Sequence, residues 1–162
     1  MRKQKGFSLI ELLIVVAIIL IIAAIAIPNL IRARMSANEA SAVGSVRSIN
    51  TAEISYNAAY PAVGFGTSLA TLGSPAGTCT PTTAQGCFID NVLSSGTKSG
   101  YTFTLAATGG PPQTSYQVAA NPVTNNQTGV RSFCSYEDAV VRYSTSAGLS
   151  DTTCTGAVTP LQ

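Results

Sequence analysis

The sequence predicts an α+β fold in which a long N-terminal helix packs against a small antiparallel β-sheet. Three observations predict it. Residues 7–31 form an apolar run of membrane length, residues 36–60 continue with helical spacing of apolar side chains, and short alternating segments separated by turns follow. A helix with one apolar stripe and a half-buried sheet each have one face to cover, so packing them together buries both.

The first half of the predicted helix is long enough to cross a membrane. As a helix, the segment from Phe7 to Ile31 spans roughly 37 Å at ~1.5 Å per residue, which exceeds a ~30 Å hydrocarbon core. The short basic head at residues 1–6 orients such a helix with its positive end in the cytoplasm. Pro28 cannot donate a backbone hydrogen bond, which predicts a weakened turn near the membrane edge.

The apolar run carries a single charged residue, Glu11. A carboxylate at the centre of a spanning helix is disfavoured by roughly 2.5–3.5 kcal/mol, and by less near the interface, so Glu11 needs a partner. A cut between Gly6 and Phe7 would create an amine four residues away. Residues 7 and 11 share a helix face, so a pair within one chain is possible, and the Phe7 amine of a neighbouring copy is the alternative partner.

The second half of the helix carries an apolar stripe, which predicts that it packs under a C-terminal sheet. The stripe consists of Ala42, Val46, Ile49, Tyr56 and Tyr60, with Glu53 as the one polar intruder. Residues 65–99 read as irregular, and the tail from Ser144 reads as coil. The predicted strands are Tyr101–Leu105, Tyr116–Ala120, Val130–Ser135 and Ala139–Tyr143, with turns at Gly109–Pro112 and Asn125–Gly129.

The four cysteines all follow the apolar run, and an even number behind a membrane anchor predicts two disulfides. Four cysteines allow three connectivities. The pairs Cys79–Cys87 and Cys134–Cys154 are favoured because each closes a short loop bounded by turn residues. The alternative of a four-cysteine zinc site lacks any C-x-x-C pair.

Composition argues against several classes of function. The chain has no histidine, which removes histidine-based acid–base catalysis and imidazole metal ligands. Three of the nine basic residues lie in the basic head, which leaves six against seven acidic residues in the rest of the chain. No bulk nucleic-acid partner is therefore predicted, and we expect neither an enzyme nor a bound cofactor or metal.

The residues Gly6-Phe7-Ser8-Leu9-Ile10-Glu11, followed by the apolar run and Pro28, closely resemble the class III signal of type IV pilins and pseudopilins. The resemblance covers about the first 60 residues. It implies a pilin fold and four segments. These are a leader at 1–6, a membrane and filament-core helix half at 7–31, an amphipathic helix half at 32–60 and a β-sheet region at 61–162.

The resemblance also implies how such a chain is used. A membrane aspartyl prepilin peptidase would cut between Gly6 and Phe7 and methylate the new amine. An assembly platform in the inner membrane would then extract the subunit from lipid and polymerise it into a pilus on the cell surface, with Glu11 and Pro28 as assembly residues. The segment between Cys134 and Cys154 looks like the disulfide-bounded terminal region of many pilins.

Three other interpretations stay open at this point. The first is a pseudopilin of a type II secretion system, although the chain lacks the Trp-containing segment and the C-terminal carboxylate cluster usual there. The second is a minor pilin that acts in adhesion or DNA uptake, and the sequence does not distinguish these roles from motility. The third is an ordinary secretory signal, since Ala24-Ile25-Ala26 matches an A-x-A cleavage site.

Overall fold

The computed structural model describes residues 7–74, 76, 78–145, 148–149, 154 and 159–161. The predicted leader at 1–6, including Gly6, lies outside the described residues. The chain divides into two compact units, Met1–Arg34 and Met35–Gln162.

The helix α1 comprises Leu9–Ala59 and contains Pro28. Its apolar part has a window of mean hydropathy 3.3, so α1 is long and apolar enough to cross a membrane. Most of residues 9–31 are large and aliphatic, and a helix satisfies the backbone hydrogen bonds of such a segment internally, as a span through lipid requires.

The second unit contains a six-stranded antiparallel sheet whose strands follow one another in chain order. The predicted α+β class is therefore confirmed. The strands are β1 (Thr97–Lys98), β2 (Tyr101–Thr108), β3 (Ser115–Pro122), β4 (Ser132–Tyr136), β5 (Arg142–Ser144) and β6 (Thr159–Pro160).

Two short helices lie in the stretch that the sequence predicted to be irregular. They are α2 (Leu69–Leu72) and α3 (Asn91–Ser94). Each begins at a side chain that accepts a hydrogen bond from the backbone three residues later, Ser68 for α2 and Asp90 for α3. Each is a single turn, too short for a hydrophobic period to show in the sequence.

The main core lies between α1 and one face of the sheet. The predicted stripe on α1 is buried from Ala42 to Tyr56, and Tyr60 packs partly buried against it. Glu53, predicted as an intruder in this stripe, is itself fully buried. The sheet contributes alternating side chains, as expected for strands with one face on a core: Tyr101, Phe103 and Leu105 from β2, Tyr116, Val118 and Ala120 from β3, and Phe133 from β4.

The opposite face of the sheet is covered in part by the C-terminal disulfide. Ala119 of β3 lies opposite Cys134 of β4, and the Cys134–Cys154 disulfide buries both in a second small cluster. The central strands are therefore buried on both faces where the sequence suggested one. The second favoured disulfide, Cys79–Cys87, is also present.

Two predicted strands begin later than the sequence indicated. The strand β4 begins at Ser132 because the backbone N–H groups of Val130 and Arg131 donate to the Glu39 carboxylate instead of to a neighbouring strand. The strand β5 begins at Arg142 because Ala139 has φ 58 in a turn and the Val140 N–H donates to Asp138. In the tail predicted as coil, Thr159–Pro160 forms the edge strand β6.

The two disulfides should contribute unequally to stability. Replacing Cys134 and Cys154 by Ala opens a 20-residue separation, which costs about 3 kcal/mol in chain entropy, and also uncovers Ala119. Replacing Cys79 and Cys87 opens a separation of 8 residues, for about 2.5 kcal/mol, on an exposed loop. Chemical denaturation of the two double variants in detergent should show the larger loss for C134A/C154A. An equal or smaller loss would mean that covering the second face adds nothing.

Candidate functional site

The N-terminal end of α1 is closed by a hydrogen bond from the backbone to Glu11. The Ser8 N–H donates to Glu11 Oε2 at 3.0 Å, and the Leu12 N–H donates to the Ser8 carbonyl. This is one half of a capping box, in which an acidic side chain reaches back to satisfy a free N–H at the helix start. The carboxylate thus lies beside the backbone at residue 8, one peptide unit from the nitrogen of Phe7.

Glu11 lies within a surface of large apolar side chains. From Phe7 to Ile31 every large hydrophobic residue is between 46% and 80% exposed. Soluble proteins rarely expose apolar patches of more than a few hundred Å², so a surface of this kind requires lipid or other copies of a similar surface to cover it. The structure therefore presents one carboxylate at the edge of a surface that is unsuited to water.

Pro28 lies inside α1, where its ring nitrogen has no hydrogen to donate to the Ala24 carbonyl. The helix nevertheless continues on both sides of Pro28. Pro28 belongs to the same exposed apolar stretch as Ile27, Leu30 and Ile31.

In the second unit, the side chain of Glu39 on α1 forms hydrogen bonds with the residues just before β4. Its Oε1 accepts from the N–H groups of Val130 and Arg131 at 2.9 and 3.1 Å, and its Oε2 accepts from Arg131 Nε at 2.8 Å. Burial alone would raise the pKa of Glu39, but these three hydrogen bonds and the guanidinium charge outweigh it and lower the pKa below its ordinary value. Glu39 is therefore held as an anion.

Glu53 lies about four helical turns further along α1 in a different environment. It is fully buried, and its Oε2 accepts one hydrogen bond, from the Gly66 N–H at 2.7 Å. No cation pairs with it among the described residues. Burial raises the pKa of Glu53 to about 7, against the single hydrogen bond from Gly66, which lowers it.

The second unit also has a shallow cavity lined by residues of α1 and of the segment 88–98. Its two charged residues, Asp90 and Lys98, pair with each other at 2.9 Å. Within the described residues, no group of three or more Asp, Glu, Cys or His side chains is arranged to hold a metal ion.

The structure does not bring the predicted site residues together into one centre. Glu11 and Pro28 lie in the apolar part of α1 and Phe7 lies just before its start, whereas the four cysteines form disulfides in the loops and sheet of the second unit. Three contacts were missed at the sequence level. Ser8-Leu9-Ile10-Glu11 contains the S-x-x-E capping signature, but no local pattern indicates that Glu39 binds residues 130–131 or that Glu53 binds Gly66.

Residues 1–27 match the family model described as the prokaryotic N-terminal methylation motif. The chain is 67% identical over 39 residues to the type IV wide pilus major component PilA4 of Thermus thermophilus. The matched stretch covers 24% of this chain and 30% of that protein. It is 46% identical over 54 residues to the type IV major pilin protein PilA of Myxococcus xanthus. This second matched stretch covers 33% of this chain and 24% of that protein.

The matched part thus spans less than a third of the length of either relative, and no solved structure matches the chain. The resemblance to type IV pilins is confirmed over the N-terminal segment. The long apolar helix, the antiparallel sheet and the two disulfides also fit the α+β pilin fold.

The Glu39 contacts should make the folded unit sensitive to acid. Because the folded-state pKa of Glu39 lies below its ordinary value of 4.5, its contribution is present above that pH and is lost as the pH falls through the lowered pKa. We expect Glu39→Gln to reduce the free energy of unfolding by about 2 kcal/mol near pH 7, because a charged acceptor is lost.

The measurement is denaturant unfolding of both proteins from about pH 7 to pH 3. The difference between wild type and E39Q should shrink as the pH falls. A difference that stays constant over this range would contradict a charged Glu39.

Proposed function

We propose that this chain is a structural subunit of a type IV pilus. The observation that carries the proposal is the N-terminal segment, in which a methylation motif precedes an exposed apolar helix with one carboxylate. The two relatives that share this segment are named as major components of type IV pili. Their names favour a major subunit over a minor one for this chain.

In this proposal the chain begins as a precursor in the inner membrane. Residues 1–6 stay on the cytoplasmic side, and the apolar part of α1 lies in lipid. A prepilin peptidase cuts between Gly6 and Phe7 and methylates the new amine, which keeps its positive charge. An assembly platform in the membrane then moves the subunit from lipid into a growing filament at the cell surface.

The apolar part of α1 forms the interior of the proposed filament. The exposed aliphatic side chains from Leu9 to Ile31 exchange lipid for the same surface on neighbouring copies, so they stay out of water throughout. Pro28 leaves one carbonyl without its helical donor, which makes this turn the easiest place for α1 to adjust during packing.

Glu11 pairs with the Phe7 amine of a neighbouring copy in this filament. The hydrogen bond from Ser8 engages Oε2 of Glu11 and holds the carboxylate at the helix start, which is compatible with a pair to its own Phe7 amine or to that of a neighbour. Inside an apolar bundle a carboxylate without a cation is strongly penalised. A wrong axial offset between two copies would leave both charges unpaired, so the pair would set the register of assembly.

The processing step predicts a defined mature N-terminus. Intact-mass and N-terminal analysis of purified subunits should give a chain that begins at Phe7 and carries one methyl group on its amine. A chain that begins at Ile27 or Asn29 would contradict the proposal and support a secretory signal that ends at Ala24-Ile25-Ala26. Retention of residues 1–6 in assembled filaments would also contradict it.

The pairing step predicts that the charge of Glu11 is required for assembly. Glu11→Gln is the sharpest variant, since Gln also accepts from the Ser8 N–H in a capping box but carries no charge. We expect E11Q and E11A to insert in the membrane as wild type does, and to yield at least about tenfold fewer sheared filaments, because a buried amine would lack its anion.

The membrane fraction and the sheared fraction of each variant give the two measurements. Glu11→Asp is the matched control, because it keeps the charge on a shorter side chain, and it should retain more assembly than E11Q. Wild-type amounts of filaments from E11Q would refute the pairing and leave Glu11 with a capping role alone.

A further inference from the structure

Glu53 lies buried between α1 and the segment that follows it. We call residues 61–74 the Gly66 segment. The carboxyl group of Glu53 has zero exposure and accepts one hydrogen bond, from Gly66 N. Its Oε1 is buried without a hydrogen-bond partner among the described residues. The packing here is tight, since a Cβ on Gly66 would lie 2.9 Å from Leu72 Cδ2 and 3.3 Å from Glu53 Oε1.

No positive charge faces this carboxyl group from the described elements packed around it. Tyr56 faces it from α1 and Tyr116 from β3, and burial raises the pKa of both phenols, so both are neutral. The other charges acting on Tyr116 are the carboxylates Asp138 and Glu137, of which Asp138 pairs with Arg142. An ionised Glu53 therefore has one backbone dipole to stabilise it and no cation.

The Gly66 segment has one polar link to the side chains of α1, the bond from Gly66 N to Glu53. Backbone bonds join Val63 and Phe65 to Gln113, and the carbonyls of Thr71 and Leu72 at the far end of the segment accept from the N–H groups of residues 86, 88 and 89. Its apolar anchors are Leu69 and Leu72, which are buried in the main core. The Tyr56 hydroxyl donates to the Thr83 carbonyl further along, so the next stretch of chain has its own attachment to α1.

We propose that the protonation state of Glu53 controls how firmly the Gly66 segment is closed on α1. The neutral carboxyl group accepts the Gly66 N–H at little cost in a buried site, so the segment stays closed. The ionised group is stabilised by water far more than by its buried surroundings, so ionisation favours opening of the segment, which lets water reach the carboxylate. Opening around Gly66 would expose the Glu53 carboxyl group and the neighbouring Leu72 side chain to water.

The direction of the pH effect follows from linkage. Burial raises the pKa of Glu53 in the closed state to about 7, and an opened, hydrated carboxyl group has its ordinary value of 4.5. The closed state therefore binds the proton more tightly, and opening becomes easier as the pH rises from 4.5 toward 7. With these values the opening constant rises about thirtyfold between about pH 5.5 and pH 8.5.

Amide hydrogen exchange of the full-length subunit in detergent tests this proposal. After correction for intrinsic exchange rates, the Gly66 segment of the wild type should lose protection by at least about tenfold over this pH range. The strands β2 and β3 serve as the internal reference, and their protection should change much less. Equal changes in the segment and the reference strands, or none in the segment, would overturn the proposal.

Glu53→Gln assigns the effect to this group. Gln is neutral at every pH and can accept from Gly66, so the segment of E53Q should stay protected at pH 8.5. Glu39→Gln is the matched control on the same helix, and its segment should keep the wild-type pH dependence. Wild-type pH dependence in E53Q would overturn the proposal. The comparison within the wild type remains decisive if E53Q does not fold.

Discussion

The packing of one stripe of α1 against the core face of the sheet is the interaction on which the second unit depends. Ala42, Val46, Ile49 and Tyr56 have exposed fractions of 3% or less. Fully burying a side chain of the size of Val or Ile contributes about 1.5–3 kcal/mol. Neither partner could bury its apolar face alone, because the strands offer alternating aromatic and aliphatic side chains that α1 covers together with side chains of the loops and short helices. The loops and disulfides act on a core that this contact already defines.

The two buried carboxyl groups on α1 show how the number of donors decides the charge state. Glu39 accepts three hydrogen bonds and pairs with Arg131, so it stays ionised despite its burial. Glu53 accepts one and has no cation beside it in the described part of the chain, so burial dominates and favours the neutral form. Glu39 thus binds the start of β4 as an anion, whereas Glu53 binds the Gly66 segment best as a neutral carboxyl group. Their pKa values consequently shift in opposite directions, down for Glu39 and up for Glu53.

The elements that could be predicted from the sequence are those whose pattern extends over several residues. The α1 stripe repeats over five turns, and β2 alternates cleanly, so both are near their predicted positions. The start of β4 depended on a contact between residues 39 and 130–131, which no local pattern encodes. Glu53 looked like a break in the apolar stripe. Its burial depends on a contact with the distant Gly66, which the local pattern of residues does not show. The Glu11 capping bond, by contrast, was readable as S-x-x-E and was overlooked.

The capping bond and the proposed pairing of Glu11 are compatible, because a carboxylate has two oxygens and only Oε2 accepts from Ser8. The bond fixes the group at the helix start before any cut is made. Cleavage would then change the charge of the nitrogen at residue 7 from neutral to positive, at the place toward which the carboxylate already points. In the proposed filament the Phe7 amine of each copy pairs with Glu11 of one neighbour, and its own Glu11 pairs with the Phe7 amine of another. Charge then balances at every position except the two ends, which makes the growing end the one place where an incoming subunit gains a pair.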